Sequence, residues 1–216
     1  RSTLFPYTTL FRSGSCGHTD SHDADYQPEH PTIRHLMRHI HTRGHEIGLH
    51  ASYGTYQKPD LIRAEADRLR RIAQEESIEQ AEWGGRMHYL RWEQPITLRA
   101  WADAGMTYDS TLGYADHPGF RCGTCFEYPA FDHVAGDLLK LRIRPLIAMD
   151  CTVMASRYLG LGTGENALVK FKKLKKVCST LHGCFTLLWH NTQLSTSAER
   201  RLYQRSEEHT SELQSR

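Results

Sequence analysis

The sequence of 216 residues has no run of 18 apolar residues, so no membrane-spanning helix is expected. Charge of one sign is also missing. A formal net charge of +2 is too balanced to imply a nucleic-acid partner by itself. No internal repeat and no low-complexity segment interrupts the chain. The six cysteines are scattered, with one close pair, Cys122-Gly123-Thr124-Cys125. A structural zinc site needs a second pair at matched spacing, and none stands out. A structural or loop-shaping role is therefore expected for Cys122 and Cys125. This cysteine usage fits a reducing compartment, the cytoplasm. Neither end has the layout of a signal peptide.

What is there fits one ordinary domain, 39% hydrophobic and 24% charged. The two ends stand apart. Residues 3–13 look like one reading frame of a common sequencing adapter, and residues 205–215 look like its companion. Residues 1–13 and 205–216 are therefore set aside as non-native. The expected native part is one domain over residues 14–204.

Within it, strands alternate with helices. Pro31 opens a helix with Ile33, Leu36, Met37 and Ile40 on one face, and Gly44 closes it. Residues 45–50 read as a strand. Pro59 starts a helix carrying Ile62, Ala66, Leu69 and Ala73. Residues 86–90 read as the next strand. Pro95 opens a helix with Leu98 and Trp101, closed by Gly105, and residues 106–109 form a short strand. Residues 110–136 are rich in glycine and proline and are expected to be a long loop. Strands follow within 138–149. Thr163 caps a helix with Leu168, Phe171, Leu174, Cys178 and Leu181 inward, and its lysines form a solvated face. Phe185 to Trp189 is a short apolar run ending at His190. This alternation predicts a mostly parallel α/β sheet or barrel.

Polar groups recur where those strands should end: His50 with Ser52, Arg86 with His88 and Tyr89, Asp109, and His190. In parallel α/β folds these are the positions that face a ligand.

One stretch sharpens this. Gly44-His45-Glu46-Ile47-Gly48-Leu49-His50-Ala51-Ser52-Tyr53 resembles the second signature of the polysaccharide deacetylases, G-H-E-I-G-x-H-[ST]-x-x-H. Arg86-Met87-His88-Tyr89 keeps the arginine of the third signature, R-x-P-x-G, without its Pro or Gly. Leu188-Trp189-His190 matches the fifth, Leu-x-His. The resemblance covers roughly residues 31 to 192. It implies a (β/α) barrel-like deacetylase fold whose first strands are missing. The implied activity is a metal-dependent hydrolase removing acetyl groups from an amino sugar or polysaccharide.

A bound divalent metal, zinc by the resemblance, would make water nucleophilic near neutral pH. His190 is then the general acid, a role that an imidazole can fill. Arg86 orients the base carboxylate, and His50 is a metal ligand. Ser52, Tyr89 and Asp109 belong to the carbohydrate-substrate side. The sequence departs from the family at two places. The first signature, T-F-D-D-G, is absent, and Asp20, Asp23 and Asp25 lack the context to replace it. Gly54 stands where a second metal histidine is usual, and His88 is the expected substitute. On this reading the chain as written is inactive. The alternative is a non-catalytic carbohydrate-binding relative of the same fold. A nucleic-acid module built on the lysine helix ranks third.

Overall fold

The computed structural model describes residues 8–11, 22–23 and 26–207. Contacts divide them into two compact units. The first unit takes the described residues up to Leu112 together with Phe126–Pro145, and the second takes Gly113–Cys125 and the described residues from Leu146 onward. Among the described residues no helix is long and apolar enough to cross a membrane.

The first unit is built on a six-stranded sheet. Its strands are β1 (Thr8–Phe11), β2 (Glu46–Ala51), β3 (Gly84–Met87), β4 (Tyr108–Asp109), β5 (Tyr128–Asp132) and β6 (Asp137–Ile143), in the order β1-β2-β3-β4-β6-β5. Only the β5–β6 hairpin pair is antiparallel; the other pairings in this sheet are parallel. The fold is thus mixed α/β with a mostly parallel sheet. Helices α1 (Pro31–Thr42), α2 (Pro59–Glu75) and α3 (Ile96–Asp103) lie in the chain between its strands. Ile47, Leu49 and Ala51 of β2 are buried, as in a parallel strand with neighbours on both sides. Helix α2 buries Ile62, Ala66, Leu69, Ile72 and Ala73 along one stripe. Helix α1 buries only Met37, and Leu36 on its expected inner face is exposed. Arg34 of α1 instead forms ion pairs with Glu75 and Glu76 at the end of α2.

Residues 8–11, within the end set aside as non-native, form β1 in register with β2, from Thr8 opposite Glu46 to Phe11 opposite Leu49. A Thr-Thr-Leu-Phe stretch has strand-forming residues, and β2 offers it an edge. The strand expected at 86–90 runs over Gly84–Met87, two residues earlier. Gly85 is why: a Cβ there would lie 1.8 Å from the Leu49 carbonyl oxygen, so only glycine lets β3 approach β2. The chain then leaves the strand, with Tyr89 at φ 57° and Leu90 at φ 54°. The long loop expected over 110–136 contains β5.

The second unit pairs two short parallel strands, β7 (Ala148–Met149) and β8 (Leu187–Leu188), with Ala148 opposite Leu187 and Met149 opposite Leu188. Helices α4 (Asp150–Met154), α5 (Glu165–Thr180) and α6 (Ser197–Glu207) complete it. Its core gathers Ala167, Leu168, Phe171, Leu174 and Cys178 of α5 with Val153, Leu202 and Cys125. Gly164, rather than Thr163, precedes the first turn of α5, and Leu181 is exposed beyond its end. Helix α6 runs to Glu207, past the expected native limit at 204.

Candidate functional site

The parallel strands β2, β3 and β4 of the first unit end on one edge, and three of the expected positions lie there. His50 is the penultimate residue of β2. Its ring lies edge-on to that of His88, with centroids 5.0 Å apart. His88 opens the turn after β3 and is nearly buried. Its Nδ1 lies 2.9 Å from Asp23 Oδ1. The Tyr53 backbone N–H also donates to that carboxylate, at 3.1 and 3.2 Å from its two oxygens. Asp23, excluded on sequence grounds, therefore sits against His88. Asp20 and Asp25 lie outside the described residues.

Aromatic rings flank this group. Tyr89, 61% exposed, lies 4.6 Å from the His88 ring centroid. The His22 ring stacks on Tyr53 at 4.3 Å, and the Arg91 guanidinium lies over Tyr53 at 4.2 Å. An exposed ring beside a polar cluster is a surface on which a sugar can stack.

Ser52 and Asp109, expected at the substrate, are buried instead. The Ser52 N–H donates to Glu65 Oε2 of α2 at 3.0 Å, and its carbonyl accepts from the Thr55 hydroxyl at 2.8 Å. Burial pushes the Glu65 carboxyl up from its ordinary range. Asp109, at the end of β4, accepts from the Thr111 N–H at 2.8 Å and the Thr111 hydroxyl at 2.5 Å. The Asp109 side chain holds the turn after β4, whereas Ser52 is tied by its backbone and its buried hydroxyl has no hydrogen-bond partner among the described residues.

Arg86 is buried as well. Its Nε donates to the Ser110 carbonyl at 3.2 Å and its Nη2 to the Ser110 hydroxyl at 3.0 Å. Burial lowers its pKa to about 10, opposed by the charges of Tyr108 and Asp109. Burial raises Asp109 to about 7, against its Thr111 hydrogen bonds and the attraction of Arg86. The carboxylate beside Arg86 is thus Asp109, a residue of the scaffold.

His190 belongs to the second unit, directly after β8. Its partner is Asp150, which directly follows β7 and is fully buried. His190 Nδ1 lies 2.6 Å from Asp150 Oδ1, and the His190 N–H donates to Oδ2 at 2.7 Å. The Cys151 N–H donates to Oδ1 at 2.6 Å. A carboxylate accepting at Nδ1 sets the imidazole tautomer and leaves Nε2 outward on a side chain that is 45% exposed. Asp150, Cys151 and His190 together bring a carboxylate oxygen, a sulfur and a ring nitrogen within 4.8 Å of one another.

Sequence reasoning missed Asp23, Glu65 and Asp150. A signal existed for Asp150 alone: Leu146-Ile147-Ala148-Met149 delivers an acid after an apolar run, as Leu187-Leu188-Trp189 delivers His190. No protein-family model matches the chain, and no curated protein matches it.

Proposed function

We propose that this chain is part of a metal-dependent deacylase acting on an acetylated amino sugar or polysaccharide, the chain as written being inactive because it lacks the T-F-D-D-G carboxylates. The observation that carries the reading is the gathering of Asp23, His50 and His88 where β2 and β3 end, beside the exposed ring of Tyr89. Imidazole and carboxylate are donor types that zinc and similar divalent ions take. The donor atoms of these three residues do not all lie within 4.8 Å of one another, so a bound ion would have to draw them together. His50 and His88 are the residues that would hold such an ion. Asp23 orients His88 through Nδ1 and offers its second oxygen as a further donor. The bound ion supplies a water acidified toward neutral pH and a polarised acyl carbonyl.

The chain's own residues do the rest. Asp150 accepts at His190 Nδ1, so Nε2 is the atom through which this imidazole, the expected general acid, gives or takes a proton. Arg86 and Asp109 pack the turn after β4 and keep Ser110 in place. Tyr89 offers its face to a pyranose ring.

The test is metal content and acetate release together, on the parent protein that carries the first signature, as wild type, His50→Ala, His88→Ala and His190→Ala, with an N-acetylglucosamine oligomer as probe. The reading expects a metal equivalent in wild type that both His50→Ala and His88→Ala lose. His190→Ala keeps the equivalent due to His50 and His88 and loses acetate release. Metal bound with no acetate release in wild type transfers the chain to the non-catalytic carbohydrate-binding reading. A histidine-independent metal content overturns the proposal.

A further inference from the structure

We propose that Asp150, Cys151 and His190 form a second cation site, thiolate-containing and selective for zinc-class divalent ions, separate in its ligands from the histidine pair of β2 and β3. The argument begins with register. β7 and β8 lie side by side and parallel, with Met149 opposite Leu188, so the residues just past each strand are brought together. On the β7 side these are Asp150 and Cys151; on the β8 side it is His190. A carboxylate oxygen, a sulfur and an imidazole nitrogen come within 4.8 Å of one another. Three protein donors of this kind, with one side open, suit a borderline-soft ion such as zinc rather than magnesium or calcium.

The site is anchored and open at once. Asp150 is fully buried and tied to two backbone N–H groups, so its position is set by the fold. Cys151 is half-buried at the start of α4, and His190 is 45% exposed. An ion arriving from solvent meets the imidazole first. Binding forms a metal–sulfur bond and releases the Cys151 thiol proton to solvent. His190 contributes one ring nitrogen, and occupancy therefore takes that imidazole out of proton transfer. The consequence for catalysis, inhibition by excess zinc, rests on the deacylase reading above. The cation site itself does not.

Cobalt(II) is the probe, because a sulfur ligand gives it a near-ultraviolet charge-transfer band that nitrogen and oxygen ligands do not. The full chain is titrated as wild type, Cys151→Ser, His190→Gln and His50→Ala. The expected result is one equivalent of sulfur-bound cobalt in wild type, undiminished in His50→Ala. Cys151→Ser abolishes the band, and His190→Gln weakens binding about tenfold or more, the loss typical of a removed ligand or its support. A band that survives Cys151→Ser places the sulfur at another cysteine and overturns the proposal. So does no band in wild type, or binding in His190→Gln equal to wild type. His50→Ala losing metal while the band persists separates this site from the one proposed for catalysis. The exposed position of His190 makes its variant a test that does not depend on the core.

Discussion

At the scale of single residues, the buried pair Arg86 and Asp109 makes the sharpest statement. Asp109 is raised to about 7 from an ordinary 3.8 because burial disfavours its charge more than Thr111 and Arg86 favour it. A raised acid holds its proton more tightly in the folded chain than in the unfolded one. Its contribution to stability is therefore full below pH 3.8 and is lost as pH rises through about 7. Asp109→Asn removes this dependence. The difference in denaturant stability between wild type and the variant should fall across that window by up to about 1.4 kcal/mol per pH unit. A difference that stays flat from pH 4 to pH 7 sinks the account. The dyad of the second unit makes a different prediction. Asp150→Asn removes the negative charge that faces His190 Nδ1 while keeping the shape of the side chain. Acetate release by the parent protein should drop about 10- to 100-fold, with the metal content due to His50 and His88 unchanged. An unaltered rate would remove Asp150 from the mechanism.

At the scale of elements, the two glycines of β3 decide how closely the strands pack. A Cβ at Gly85 would lie 1.8 Å from the Leu49 carbonyl oxygen, which is backbone and cannot swing away. Gly85→Ala should cost about 3 kcal/mol or more, since β3 must part from β2. Gly54→Ala, where nothing lies within 4 Å, should fall within about 0.5 kcal/mol of wild type. Equal melting temperatures for the two variants would contradict this picture. These elements also mark how far the sequence is legible. The helices read well: Pro31, Pro59 and Pro95 lie at their starts, Gly44 and Gly105 at the ends of two of them, and the stripe of α2 is buried as its spacing implies. Strand limits read less well. Gly84-Gly85 looks like a break by propensity, yet it pairs because close approach outweighs propensity there. The histidines were legible from their place after apolar runs. Asp23 and Glu65 were not, because what brings them to the site is tertiary contact: Asp23 reaches His88 across 65 residues, and Glu65 meets Ser52 from a helix stripe that otherwise reads as apolar.

At the scale of the whole molecule, the described residues form two compact units, each with buried apolar side chains of its own. Trp101 of α3 is fully buried in the first unit, where its indole N–H lies 3.3 Å from the Met87 sulfur. Phe171 of α5 is fully buried in the second, with Trp189 at 5.7 Å between ring centroids. Removing either ring leaves a cavity that rigid neighbours fill poorly, and each truncation to alanine should cost about 3–5 kcal/mol. The location of the damage is the informative part. A unit with its own core opens as its own cooperative piece, so amide exchange should rise mainly where the ring was lost. Trp101→Ala should speed exchange in β2, β3, β4 and α2. Phe171→Ala should speed it in β8, α5 and α6, with the β2 and β3 amides still protected. His50 and His88 lie on the first unit and His190 on the second, so the same pair of variants divides the functions proposed here. Phe171→Ala should retain metal at the histidine pair and lose the cobalt–thiolate band, and Trp101→Ala should do the reverse. Uniform loss of protection over all these strands and helices in both variants would instead mean that the two cores melt as one.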